Sequence, residues 1–113
     1  MLSHILIYIL FAYNIAIQNG VYILVTNNMY LDYHNKYLTI SENFTYPKTF
    51  FRITKNNFNT RDYIYNIEQI ITNLKLTCSE SNELIFTNKR NDLENWLLIK
   101  TNENNYLIKN YNL

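Results

Sequence analysis

Glycine and proline are almost missing from this chain, which carries one of each, Gly20 and Pro47. Turns that would use glycine must therefore use asparagine, the side chain that next best tolerates positive φ. Asn27-Asn28, Asn56-Asn57 and Asn104-Asn105 are expected turns on that ground. Cysteine is also single, so Cys78 excludes a disulfide framework within one chain. It reads as a small buried hydrophobe, with an intermolecular bridge as the other option. No strong charge imbalance exists: ten basic and nine acidic residues are scattered singly, and the longest basic run is Lys89-Arg90. That pattern lacks the basic stripe of a nucleic-acid binder. There is no apolar run of the roughly 20 residues that a membrane-spanning helix needs.

What the chain has in excess is asparagine (20), isoleucine (15) and tyrosine (11) in 113 residues, the composition of AT-rich codons. A virus or an AT-rich parasite fits it. The length suits one small domain.

The first 20 residues stand apart. From Ile5 to Ile17 they are apolar apart from Asn14, which suits the apolar region of a secretory signal peptide. Residues 1–20 are read as that leader, removed between Ala12 and Gly20, and the protein as secreted. A first buried strand or an uncleaved anchor is the alternative. Asn43-Phe44-Thr45 is an N-glycosylation acceptor, which makes Asn43 the expected glycan site on an exposed loop.

After Gly20 the chain falls into nine short apolar runs: VYILV, MYLDY, KYLTI, TFFRI, YIYNI, LKLTC, ELIFT, WLLIK and NYLIK. Tyr, Ile, Phe and Thr dominate them, the residues of strands. Leu74, Leu76 and Cys78 alternate and so share one strand face. A helix over Asp62 to Leu76 is a weaker alternative, carried by Ile64, Ile67, Ile70, Ile71 and Leu74. Two stretches repeat. Leu38 to Phe50 and Leu84 to Trp96 have the same spacing, with Ile53 and Ile99 in register; Leu31 matches Leu76 with one residue of slip, and Tyr65-Asn66-Ile67 resembles Tyr106-Leu107-Ile108. The period is about 45 residues, with four strands in each unit. The expected fold is all-β and β-trefoil-like. Residues 21–113 would hold two four-strand repeats (21–64 and 65–105) and the start of a third (106–113). About one third of the barrel would be absent, through truncation, supply of strands by another chain, or a different closure. Open sheet edges would then invite self-association. An immunoglobulin-like sandwich is the alternative fold, from the Cys78 and Trp96 pair.

IEQIITNLKLTCSESNEL, from Ile67 to Leu84, resembles the central repeat of fibroblast growth factors in the places of Ile67, Ile70, Lys75-Leu76, Cys78 and Leu84. Glu94-Asn95-Trp96-Leu97 and Asn104-Asn105-Tyr106 continue that likeness, and YILVTNNMYLDYHNKYLTI resembles the first repeat. The resemblance spans about Val21 to Leu113 and implies a secreted, virus-encoded growth-factor-like ligand or decoy that binds a growth-factor-type receptor at the cell surface. It implies Asn104 and Tyr106 as receptor contacts; the plain reading of the same residues is a turn Asn and a core Tyr. Ile99 or Lys100 replaces the family Glu that binds the receptor. The family's heparin-binding loops belong to the third repeat, and no Lys/Arg cluster replaces them, so heparan sulfate binding is not supported. No contact with nucleic acid is expected, nor with a membrane after leader removal.

A lectin-like trefoil with Trp96 as sugar platform is the first functional alternative, though the Gln-x-Trp signature is absent. A non-functional remnant is the second. Catalysis is not expected. His34 is the only histidine outside the leader, and a Cys78–His34 pair would need spatial contact and an orienting third group. Asp32 and His34 alone make no metal site. No cofactor motif is present.

Overall fold

A computed structural model describes residues 4–9, 18–44, 48–56, 64–89, 92–102 and 105–112, with 4–9, 92 and 102 described by backbone alone. The elements are strands β1 (His4–Ile9), β2 (Gly20–Thr26), β3 (Met29–His34), β4 (Tyr37–Ser41), β5 (Phe50–Lys55), β6 (Ile64–Gln69), β7 (Lys75–Cys78), β8 (Leu84–Thr87), β9 (Trp96–Asn102) and β10 (Asn105–Asn110). A single 3₁₀ turn, Asp92–Glu94, precedes β9. The nine runs after Gly20 are β2 to β10 in order. The region considered as a helix is β6, a turn and β7 over its described part.

Asparagine builds the tight corners. Asn27 and Asn28 both have positive φ (49° and 62°), as do Asn35 and Lys36 (46° and 66°). Each pair joins two antiparallel strands through a two-residue loop, the hairpin geometry whose twist matches the strands. Asn105 opens β10 rather than a turn, and Asn57 and Asn104 lie outside the described residues.

All ten strands belong to one antiparallel sheet that closes on itself. The pairings form a ring of six (β1, β10, β9, β6, β5, β2) and a ring of seven (β2, β3, β4, β8, β7, β6, β5) that share β2, β5 and β6. The fold is thus an all-β closed barrel with extra strands. This corrects two expectations. An immunoglobulin-like sandwich needs two facing sheets, and here there is one continuous sheet. The barrel also does not lack a third of its wall, because β1 lies between β10 and β2 and pairs with both. The apolar segment expected to be a leader contains this strand. Cleavage between Ala12 and Gly20 would carry it away.

The six-stranded ring repeats one register three times. Tyr22 faces Phe51, Tyr65 faces Trp96, and Tyr106 faces Ile7. Ile67 faces Ile53, Ile108 faces Leu98, and Leu24 faces Ile9. So β2, β6 and β10 carry the same pattern, Tyr-x-Leu/Ile-x-Thr/Gln/Asn, and Leu24, Ile67, Ile108, Tyr65 and Tyr106 are all buried. The repeat predicted from spacing is one residue out on β5 and β9. Phe51 and Ile53 correspond to Trp96 and Leu98, while Ile99 points outward, 43% exposed. Burial of apolar side chains at these positions supplies the main driving force for closing the ring.

Polar residues at the ends of the inward pattern hold the connections. Gln69, buried at the end of β6, accepts hydrogen bonds at Oε1 from Ile71 N (3.0 Å), Thr72 N (2.8 Å) and Thr72 Oγ1 (3.0 Å). Gln69→Ala removes three bonds to a turn that water can partly rescue, so a loss of about 1–2 kcal/mol is expected. A urea unfolding midpoint measures it.

Candidate functional site

Cys78 and His34 have different hydrogen-bond partners. Cys78 is buried on β7, with its Sγ 3.9 Å from Asn110 Nδ2. His34 is exposed at the β3–β4 turn, with Nε2 3.3 Å from Asn35 Nδ2. Among the described residues no three His, Cys, Asp or Glu side chains come together as metal ligands. Asp32 sits buried on β3 with Oδ1 lacking a hydrogen-bond partner.

Burial pushes the Cys78 thiol above its ordinary value of 9.0. It also raises the phenols of Tyr22 and Tyr106 above 10.0, with the neighbouring Tyr22 charge adding to the shift of Tyr106. Each group keeps its proton longer in the folded chain than in the unfolded one, so the unfolded chain gains stability first as pH rises. The melting temperature should be unaffected by these groups below pH 9 and fall as pH climbs through their folded values. In Cys78→Ala the fall should start later, with the tyrosines alone. Thermal melts across the alkaline range test this.

Tyr106, expected at a receptor, has 0% exposure and presents no side-chain surface to a partner. That is a correction, and its cause is the register: Tyr106 occupies the same inward place as Tyr65. Asn104 lies outside the described residues. Trp96, the lectin platform of the alternative reading, is also fully buried, and its indole N–H donates to Leu76 O at 2.9 Å. It cannot stack on a sugar. Asn43 is exposed after β4, where its N–H donates to Ser41 Oγ (3.1 Å) and that hydroxyl donates to Asn43 O (3.2 Å).

Two surface features stand out among the described residues. The first is an aromatic cluster. Phe44 sits between Tyr30 and Phe50, edge-on to both, with ring centroids 5.6 and 5.5 Å apart. Phe50 points outward because its neighbour Phe51 points in, and Ile23 lies across from it on β2. Val25 lies across from Tyr30, and Val21 continues the same outer face. Phe44 is 49% exposed and Val21 51%. The rings steady one another, which lowers the entropy that binding must pay while leaving apolar surface in water.

The second is a groove of about 480 Å³ on the β7–β8 hairpin, lined by Thr77, Cys78, Ile85, Thr87 and Leu93, with Glu80 and Lys89 among its charged members. Sequence reasoning missed both. Phe44 stood out only as the middle of a glycosylation triplet, and Tyr30 and Phe50 belong to different runs that the fold alone brings together.

Compared with known protein families, characterised proteins and solved structures, the chain has no match.

Proposed function

We propose that this chain is a β-trefoil-type binding protein, a secreted growth-factor-like ligand or decoy that docks on a cell-surface receptor of growth-factor type. The trefoil reading is supported by the threefold register of the six-stranded ring, with hairpins β3–β4 and β7–β8 inserted at equivalent points between its strands. Binding rather than catalysis is favoured by the aromatic cluster Tyr30–Phe44–Phe50, the observation that carries the proposal. Large aromatic anchors supply most of the affinity in protein interfaces. With Tyr106 buried, this face is the proposed receptor contact, and Asn104 stays a candidate beside it. The near-neutral charge favours a protein partner over heparan sulfate or nucleic acid. A viral source accords with the composition.

Asn43 stands beside this cluster in sequence, so a glycan there would border it. Secretion and glycosylation are tested together by mass spectrometry of medium from cells expressing the full chain, which should contain protein with a glycan removable at Asn43.

Receptor binding is tested by surface capture of the protein and a panel of growth-factor-receptor ectodomains. The expected result is binding at about micromolar concentration or tighter. Phe44→Ala should weaken it about 10-fold or more. The same variant should shift the melting temperature by only about 2 °C, since half of the ring is already in water. No binding by the folded protein to any member of the panel would end the receptor reading.

A further inference from the structure

We infer that the aromatic face receives an arginine side chain of its protein partner, held by the rings of Tyr30, Phe44 and Phe50 and by the charge of Asp32. The inference rests on the reading of this face as a docking surface and adds the chemistry of what docks there.

The rings suit a cation. Phe44 stands at 72° to Tyr30 and at 77° to Phe50, with centroids 5.6 and 5.5 Å away. Rings set steeply to one another turn faces and edges toward a shared corner, and the faces carry the negative part of the ring quadrupole. A guanidinium over such a face is attracted to it. Half of Phe44 is in water, so the corner is open to a partner.

Asp32 supplies the opposite charge. Tyr30 and Asp32 are alternate residues of β3, so they share one face of the strand, about 7 Å apart. Ser41 and Thr39 stand opposite them on β4. Asp32 is 9% exposed, and among the described residues its Oδ1 is the one buried side-chain oxygen or nitrogen with no hydrogen-bond partner. The Thr39 hydroxyl is near, yet it donates to the main-chain oxygen of Asp32 (3.4 Å). A buried carboxylate oxygen without a donor destabilises the fold. A positive charge brought onto the neighbouring rings offsets that, because charges act over longer distances in a low-dielectric setting.

The surrounding charges leave the place to an incoming cation. Glu42, exposed and two residues before Phe44, adds a second negative group on the approach. Arg52 follows Phe50 on the outer face of β5, but its Nη1 donates to Asn73 Oδ1 (3.1 Å) in the turn after β6. Lys48 is exposed, and its main-chain carbonyl accepts from Tyr33 N–H (3.1 Å). Neither cation is bonded to Asp32 Oδ1. Arginine fits better than lysine: its planar head is more weakly hydrated, stacks on aromatic faces and matches a carboxylate with its forked N–H groups.

The test uses the isotope-labelled full chain and two peptides, acetyl-Gly-Arg-Gly-amide and its twin with citrulline, a neutral side chain of the same shape, in place of arginine. Amide signals are followed by NMR at fixed ionic strength. The arginine peptide should shift Tyr30, Asp32 and Phe44 saturably, with a Kd of about 1 mM or tighter. The citrulline peptide should bind about tenfold more weakly or worse. Asp32→Asn, nearly the same in size, should make the two peptides equal. Phe44→Ala is the second variant, for use if Asp32→Asn disturbs the fold, and should abolish the arginine shifts. Equal binding of the two peptides by the unaltered protein, or no shifts at millimolar arginine peptide, would overturn the inference. So would a preference for arginine that survives Asp32→Asn. The receptor reading is separable. An ectodomain that binds the unaltered protein and the Asp32→Asn variant alike would overturn this inference and leave the receptor. A preference for arginine with no ectodomain bound would do the reverse.

Discussion

A chain that begins at Asn19 is expected to lose cooperative folding, while the chain that keeps residues 4–9 melts in one transition. β1 is paired with β10 at five positions, from His4 opposite Lys109 to Tyr8 opposite Asn105, and with β2 at two, Tyr8 opposite Val25 and Ile9 opposite Leu24. Its removal opens the six-stranded ring along both neighbours. The inward side chains of β10, Tyr106 and Ile108, are fully buried and would lose one wall of their surroundings. Each large apolar side chain returned to water costs about 1.5–3 kcal/mol, and the freed ladder groups add to that. The sum is comparable to the whole stability of a small domain, about 5–15 kcal/mol. Ile7→Pro makes the same test with one substitution, since proline in a strand paired on both sides removes a ladder bond and clashes. Calorimetry of the two chain lengths decides between the readings of the N-terminus. If the shorter chain melts cooperatively at a similar temperature, residues 4–9 are dispensable and a removable leader is the better description.

Trp96→Ala should cost about 4 kcal/mol, within the range for removing a fully buried large aromatic. The site is crowded from both sides. Trp96 faces Tyr65 on β6 and Asn110 on β10, and its indole N–H reaches across to Leu76 O on β7. The side chain thus ties the ring to the second hairpin, and its loss leaves both a void and an orphaned carbonyl. Trp96→Phe keeps most of the volume and isolates the second effect, expected at about 1–2 kcal/mol. Phe51, its counterpart one repeat earlier, has no such donor and is packed by Phe86 instead. Urea unfolding of the two variants gives both numbers. Equal losses for Ala and Phe would show that the hydrogen bond rather than the volume matters.

The strands were legible in the sequence and their joint register was not. Each of the nine runs after Gly20 has β-branched or aromatic residues between polar corners, and each is a strand. The Leu76 and Cys78 alternation was correct because a single polar residue separates them. Phe50-Phe51 and Trp96-Leu97-Leu98-Ile99 have no such separation. In a continuous apolar run either parity can face inward, and spacing from β4 and β8 chose the wrong one for Ile99. The same ambiguity hid β1, since an unbroken Ile-Leu-Ile-Tyr-Ile has the composition of a leader as much as that of a strand. Tyr65 and Tyr106 were matched from sequence, yet Tyr22 completes the set only once the ring is seen. The binding face was the least legible. Tyr30, Phe44 and Phe50 lie 14 and 6 residues apart and show no period, because corners rather than one strand gather them.

The pairing of β1 with β10 also sets a timetable for biosynthesis. The ribosome delivers β10 about a hundred residues after β1, several seconds later at about 5–20 residues per second. Throughout that interval the nascent Ile-Leu-Ile-Tyr-Ile segment is an uncharged apolar stretch that can have β2 beside it but not β10, its more extensive partner. Such distant closure slows folding, so newly made chains should depend on chaperones to stay apart until the ring can shut.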